Sequence, residues 1–549
     1  MKTNIFIVLF FLFLIRSSAI AQMISAGFPV IEEKIRRDQL FQPDTLQLSF
    51  LFRPAISYSD SSAALNENFF FNATPALITT GFDLNRPIPN NPFLLTPGTG
   101  FSTYATAGIF IKFKGINFQL QPEFAFSQNR PFEGTPEEWS DQLMQQRFWD
   151  WNFGDFPQRF GNRALTKIWW GQSKLTIQLG AFELGASSQN IWWGPGQWNS
   201  LLFSNNAPGF PHLTLNTYKP AKLFLGNLEM QLLIGRLESS NQPPLDDYLL
   251  NNRFFKPLSS DWRYLNAINV SFNPKWVPHL FLGFGRTFQV YNDSRGNSFI
   301  DWFPVFEAFQ KEKFFSNGNS IDFDSNDRDQ QLAVFARYKI SKAKAEMYFE
   351  YGRRDHAFNW REFALNPEHA RAYLFGFIKL FNVDNSIFQL RGEVTHQQES
   401  VNRYIRYLGQ AGYHSWHMHD TQRGFTNFGQ PIGVRLGPGS NNQILEFAKV
   451  DGYQKIGVFF ERLENNQGFF YRAFGQQNEV KPWIDLSFGF LYDKKINNFL
   501  INSQIQMISS QNYQWQLSSN STSQFPQGKN LFTFHSRLSL IYLWNNVLK

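Results

Sequence analysis

The chain has 549 residues, a formal net charge of +7, no cysteine, and 18% aromatic residues including 63 Phe and 16 Trp, yet its mean hydropathy is only -0.34. A basic excess this small, scattered along the whole length, argues against nucleic acid as a partner, and the missing thiols exclude a disulfide framework or a lipid anchored through an N-terminal cysteine. A soluble protein with so much aromatic surface would need a very large core, whereas a transmembrane β-barrel turns its apolar side chains to lipid and its polar ones to a wet lumen.

At the start, Lys2 precedes the unbroken apolar run 5–15, and Ala19-Ile20-Ala21 offers a small-x-small cleavage site ahead of Gln22. The run is too short for a bilayer core of roughly 30 Å, so residues 1–21 read as a secretory signal peptide. Its removal takes away Lys2 and Arg16 and lowers the formal charge from +7 to +5. Residues 22–44 follow as a periplasmic N-terminal segment with a helix expected at 30–40, and residues 45–549 as one barrel domain.

Alternation with period 2 recurs along the rest of the chain. Phe118, Leu120, Phe124 and Phe126 alternate with Asn117, Gln119, Gln121 and Glu123. Phe388, Leu390 and Val394 alternate with Gln389, Arg391, Glu393 and Thr395. Phe499, Ile501, Ile505 and Met507 share one face opposite Asn502, Gln504 and Gln506. About eighteen such segments, of roughly the ten residues a tilted membrane strand requires, run from 45–56 to 531–543. Tight turns are expected at Lys114-Gly115, Gly171-Gln172, Gly226-Asn227, Asp384-Asn385 and Asp451-Gly452, where Gly, Asn and Asp tolerate positive φ. Between them lie long polar connections at 57–103, 128–164, 183–220, 237–263, 291–330, 353–371, 398–442, 464–481 and 509–529. Short periplasmic turns alternating with long extracellular loops are the pattern of an outer-membrane barrel with both termini in the periplasm. Two of the loops carry helix signals. Thr135-Pro136-Glu137-Glu138 is a capping box with Pro at the first helical position ahead of 139–148, and Asn366-Pro367-Glu368 repeats the cap-then-proline order.

Two loop clusters stand out. The third loop holds Trp192-Trp193-Gly194-Pro195-Gly196, then Trp198, then Ser204-Asn205-Asn206-Ala207-Pro208. Indole faces on a rigid turn can stack sugar rings and neighbouring amides can pair with hydroxyls, although tryptophan is also enriched where barrels meet the membrane interface. The seventh loop holds His414, Trp416, His417, His419 and Asp420, then Arg423-Gly424, Asn427 and Gly429-Gln430-Pro431, and closes with Gly437-Pro438-Gly439-Ser440. The expected polysaccharide-binding set is therefore Trp192, Trp193, Trp198, Asn205, Asn206, Arg423, Asn427 and Gln430.

These two stretches, with Arg36-Arg37-Asp38-Gln39-Leu40 leading to a strand that ends Phe52-Arg53-Pro54, resemble the Wzi-type capsule assembly proteins of Gram-negative outer membranes. The resemblance implies an eighteen-stranded barrel with a loop-and-helix plug, and a lectin-like role holding capsular or extracellular polysaccharide at the cell surface. Outer-membrane lipid and other capsule export components are then the further partners, with no cofactor.

Other functions weigh less. Acyl transfer would want a strained nucleophile elbow, and no Gly-x-Ser-x-Gly occurs. Asp355 with His356, and His419 with Asp420, are sequence neighbours, which point to opposite faces of a strand. His414, His417 and His419 are metal donors without fixed geometry, so no metal is expected. A porin or transport channel for small solutes is the alternative, with Glu346, Glu350, Arg391 and Glu393 lining the passage. Loops that fill the mouth would decide against it.

Overall fold

The computed structural model describes residues 22–23, 28–41, 48–53, 57–58, 69–89, 93–307, 328–354, 364, 370–398, 415–475 and 479–544. Residues 1–21, the cap-and-proline stretch Asn366-Pro367-Glu368, Asp355, His356 and His414 lie outside them. Wherever polar and apolar residues alternate, the polar set turns inward: Gln119, Glu123, Gln389, Glu393 and Gln506 are buried, while Phe118, Phe124, Ile505 and Met507 are exposed. This is the inverse of a soluble fold and needs lipid outside.

Eighteen antiparallel strands close the barrel. The first six are β1 (Phe69–Asp83), β2 (Gly100–Phe113), β3 (Ile116–Leu120 and Glu123–Ser127), β4 (Leu165–Trp169 and Lys174–Leu179), β5 (Phe182–Ser187) and β6 (His212–Thr217 and Ala221–Lys222). The next six are β7 (Gly226–Leu237), β8 (Arg263–Pro274), β9 (Leu280–Tyr291), β10 (Asp329–Ile340), β11 (Ala345–Arg354) and β12 (Arg371–Val383). The last six are β13 (Ser386–His396), β14 (Asn441–Asp451), β15 (Gln454–Glu464), β16 (Ile484–Ile496), β17 (Phe499–Gln511) and β18 (Leu531–Tyr542). Each strand pairs with its neighbours in the chain, and β18 returns to β1 from His535 opposite Asp83 to Tyr542 opposite Ala76. Long connections follow the odd-numbered strands and tight turns the even-numbered ones.

The expectations for two wall segments are corrected. The first wall strand is β1 and not 45–56; residues 48–53 run inside the lumen instead, where Phe52 and Arg53 pair with Trp193 and Trp192. Both faces of that segment meet protein, so its alternation is real but does not mark lipid contact. A register shift between Thr74 and Leu77 breaks the alternation that would have shown β1 in the sequence. Gly171-Gln172 is a break within β4, whose turn lies at Gly180-Ala181; Gly171 takes φ +57 and Gln172 is turned inward, donating to Glu123 at 2.7 Å.

Helix α1 (Pro29–Phe41) lies in the lumen near the tight-turn end, its Arg37 donating to the carbonyl of turn residue Gly452 at 2.5 Å. Over the long-loop end lie α2 (Asp141–Phe153), α3 (Tyr248–Phe254) and α4 (Gln467–Phe474). Helix α2 is capped by Ser140, which accepts from Leu143 N at 3.4 Å, and not by Thr135. The Thr135 hydroxyl donates to Gln158 Oε1 at 2.7 Å, and the chain makes a turn before the helix starts.

Neighbouring substitutions in β17 separate the two faces. Ile505→Lys, at mid-strand on the lipid side, is expected to cost roughly 2–4 kcal/mol of folding free energy in lipid vesicles. Gln504→Glu should cost little, because its inward oxygen already accepts from Arg537 at 3.0 Å. Equal losses in a denaturant titration would contradict a wet lumen.

Candidate functional site

The third loop, 188–211, enters the lumen from the long-loop end, and the barrel wall holds it by its backbone. Glu350 of β11 accepts from Gly196 N at 3.0 Å with one carboxyl oxygen and from Leu201 N at 2.9 Å with the other. Glu393 of β13 accepts from Gln197 N at 2.7 Å, Trp198 N at 3.3 Å and Asn199 N at 2.9 Å, and from the Tyr348 hydroxyl at 3.0 Å. Five donors of one loop are thereby satisfied by two buried carboxyl groups, in a place where an unmet donor costs about 1–3 kcal/mol. Carbonyls on the same turn meet arginines: Arg53 donates to Gly194 O at 3.0 Å and Gly196 O at 2.9 Å, and Arg36 to Pro195 O at 2.7 Å. Gly194 has φ +112, and a Cβ there would sit 2.4 Å from Glu350 Oε1, so only glycine fits.

The seventh loop is held the same way. Arg263 of β8 donates to Gly424 O at 2.6 Å and Thr426 O at 2.9 Å, and Gln331 of β10 to Trp416 O at 2.8 Å. Trp416 donates its Nε1 to Leu201 O at 2.9 Å, tying the seventh loop to the third. Leu51, Trp193, Phe203, Trp416, Phe425 and Val434 form part of one apolar core in mid-lumen, with wall residues such as Ala267 and Phe335 behind it.

Below this core, α1 is fixed by charge. Glu33 meets Arg37 at 2.6 Å, Lys455 at 2.8 Å and Arg391 at 3.1 Å, and Arg36 meets Glu346 at 2.5 Å. Burial alone would raise the Glu33 carboxyl, but Arg391, Lys455 and Arg37 more than reverse it and hold it well below the usual carboxylate range. Arg53 joins this layer to the loop above by pairing with Glu32 at 2.8 Å.

The eight residues expected to bind sugar fall into two groups. Trp192, Trp198, Asn205 and Asn206 line one cavity of about 180 Å³ between α1 and the third loop, with Arg391 and Arg435. Both of its tryptophans already carry a guanidinium, Arg53 lying 4.3 Å over Trp192 and Arg391 4.6 Å over Trp198. The cations are matched too, Arg391 by Glu446 at 2.5 Å and Arg435 by Glu461 at 2.9 Å. Trp193, Arg423, Asn427 and Gln430 are buried elsewhere in the plug. Trp193 donates to Gln231 at 2.9 Å and meets Phe203 edge-on; Arg423 donates to the carbonyls of Asn152, Lys256 and Pro257. Asn427 bridges Pro208 O at 3.0 Å and Glu238 N at 2.9 Å. The visible work of Trp193, Arg423 and Asn427 is to brace the plug, while Gln430 pairs with Asn427 along a short two-residue ladder.

The wall carboxylates Glu346, Glu350 and Glu393 stand where the alternation puts them, but Glu350 and Glu393 grip the third loop and Glu346 pairs with Arg36 of α1 and Arg337 of β10, so they do not line an open passage. Arg53 belongs to the Phe52-Arg53-Pro54 stretch of the resemblance, but nothing in that stretch gives its role, and Arg263 carries no local motif that marks it in advance. His417 is buried with Nε2 3.1 Å from Val434 O, and burial pulls it down to about 3, so it is neutral. His419 Nδ1 accepts from Gln422 N at 3.1 Å, and among the described residues no group of His, Asp and Glu is placed to hold a metal ion.

A closed eighteen-stranded barrel whose lumen is taken up by its own helix and loops defines an outer-membrane barrel of the plugged class. The sequence profile of the family described as capsule assembly protein Wzi matches residues 167–520, and the chain belongs to that family. Among solved structures it is similar to Wzi of Escherichia coli, an outer-membrane protein involved in group 1 capsule assembly and a carbohydrate-binding β-barrel. The likeness covers 94% of this chain and 99% of that one, at 11% identity and a TM-score of 0.56. OccAB3 of Acinetobacter baumannii is more distant, at 10% identity over 86% of this chain and 98% of its own, with a TM-score of 0.40. So is OprD of Pseudomonas aeruginosa, at 7% identity over 87% and 95%, with a TM-score of 0.37. No curated protein sequence matches the chain significantly.

Replacing both Glu350 and Glu393 by Ala strands the five donors of the third loop. Single-channel conductance in planar bilayers should rise above wild type as the loop leaves the wall; unchanged conductance in the folded double variant would show that other contacts suffice. Because folded Glu33 is held low, its contribution to docking α1 is present above the ordinary carboxyl value of 4.5 and is lost only as strong acid reaches the folded value. Glu33→Gln removes it at every pH, so limited proteolysis at neutral pH should cut within α1 in that variant and not in wild type.

Proposed function

We propose that this barrel holds capsular or other extracellular polysaccharide at the cell surface, as a lectin-like protein that neither conducts solutes nor catalyses a reaction. The observation that carries the reading is the plug: wall carboxylates and arginines grip two long loops by their backbones, and the Wzi family to which the chain belongs is one of capsule assembly. A barrel built for transport gains nothing from five wall-to-loop bonds across its bore, whereas a barrel that presents a fixed surface to a polymer gains rigidity. The carbohydrate binding of Escherichia coli Wzi supports the same reading. In this view the tryptophans and asparagines of the third loop act indirectly, by fixing the plug that carries the outer loops. Residues 1–21 serve as the export signal, and residues 22–44 enter the barrel from the periplasmic side and carry α1 into the lumen.

Each contact with a polymer is weak, but one chain meets many barrels on a cell, so attachment is firm while every site stays loose. Deleting the protein should move polysaccharide from the cell surface to the medium with the total amount unchanged. Cell-bound polysaccharide at the wild-type level after deletion would end the attachment reading.

A further inference from the structure

A second cavity, also of about 180 Å³, lies at the long-loop end, away from the plug core. Four loops meet there: the second brings Arg147, Trp151 and Gln158, the seventh Gly437-Pro438 and Ser440, the eighth Asn465 and Asn466, the ninth Trp515. Trp483, just before β16, completes the aromatic lining. The volume is below the roughly 300–1,000 Å³ of pockets that take drug-sized ligands, which leaves room for one ring and not for a chain.

Three observations single this cavity out. First, the indole Nε1 of Trp515 is buried with no hydrogen-bond partner, in a residue only 2% exposed. A buried donor without an acceptor is costly and calls for one from a ligand. Second, the backbone is bent to place it: Asn512 (φ 52), Gln514 (φ 53) and Trp515 (φ 53) all sit in the left-handed region, which residues bearing a Cβ avoid. Third, the charges do not balance. Arg472 donates to Asp150 at 2.6 Å, and Asn466 donates to the other Asp150 oxygen at 2.5 Å. Arg147 lies 3.6 Å from that same carboxylate, past hydrogen-bond reach, and its Nε reaches Thr135 only at 3.4 Å. Two guanidiniums thus share one acid, while Asp485, beyond Trp483, is matched by Arg86 at 2.5 Å. Burial pulls Arg147 down to about 10, with Asp150 raising it and Arg472 lowering it, so it stays charged at neutral pH. Its guanidinium is held 4.4 Å over the Trp151 ring and 5.7 Å from that of Trp515.

We infer that this cavity is a subsite for a carboxylate-bearing sugar ring, a terminal or branch hexuronic acid unit, with Arg147 taking the carboxylate and the Trp515 indole N–H meeting the ring. The inference rests on the polysaccharide-holding reading and names where and by what chemistry the polymer is recognised. Planar guanidinium matches planar carboxylate, and a second carboxylate beside Arg147 balances the Arg147–Asp150–Arg472 set. Trp515 Nε1 then has a ring hydroxyl to donate to.

The test uses the full barrel in detergent micelles and follows its tryptophan fluorescence. The probes are an oligogalacturonate hexamer and its carboxyl-reduced counterpart, which has the same linkage and length and no charge. The hexamer should bind at least tenfold more tightly than the reduced form. Arg147→Gln should remove that preference while leaving the reduced form within twofold. Should that variant lose the heat-modifiable gel migration of a folded barrel, Gln158→Glu is the second variant. It keeps the oxygen that accepts from Thr135, adds a negative charge to the cavity, and should weaken the hexamer at least tenfold. Equal affinity for the two probes, no binding of either, or a preference that survives both substitutions would overturn the subsite. None of those outcomes touches the attachment reading, which stands or falls on where the polysaccharide goes when the whole protein is deleted.

Discussion

The plug depends on backbone amides of residues 196–201 meeting two carboxyl groups of the wall. Glu350 and Glu393 point inward because β11 and β13 alternate, and in an empty barrel they would face water. Here they face the third loop, whose Gly194-Pro195-Gly196 turn brings consecutive N–H groups to one side. Neither partner is stable in that place alone: the loop would bury unmet donors and the wall unmet acceptors. The same logic explains Arg263 of the wall on the carbonyls of the seventh loop, and Arg53 of the luminal segment 48–53 does the same for the third. Wall side chains meet loop backbone, so the loops need only a fixed path, and their side chains are left to build a core.

That division explains what the sequence revealed and what it hid. Strands such as β3, β13 and β17 were legible because lipid and lumen make opposite demands on alternate residues, and the inner residues stayed polar even where the plug covers them. Segment 48–53 alternates for a different reason, having the third loop on one side and the wall on the other, and period 2 cannot tell the two settings apart. At Thr74–Leu77 the shifted register hides a true wall strand from the same criterion. Gly171 signals positive φ correctly, but positive φ occurs at a kink as well as at a turn.

The tryptophans of the third loop were read for their faces, and the faces are what the structure uses. Arg53 and Arg391 occupy them, so a surface suited to sugar serves equally well for a guanidinium. Composition reveals that a flat ring is needed, while the partner depends on residues more than a hundred positions away. The cavity at Trp515 was hidden for a related reason. Its lining comes from four loops, and no single stretch carries enough of it to form a motif.

The N-terminal helix meets the barrel through partners that come far later in the chain. Arg36 and Glu346 are 310 residues apart, Arg37 and the Gly452 carbonyl 415, Glu33 and Lys455 422. Loop-closure entropy grows with such separations, and contacts of this range form late. The segment synthesised first therefore has nowhere to dock until β10 to β15 stand, and the fifteenth strand must exist before Glu33 finds its lysine. Order of synthesis and order of assembly run in opposite directions here, and a barrel that stalls before β15 leaves its leading helix outside, unanchored, with buried-type charges in water.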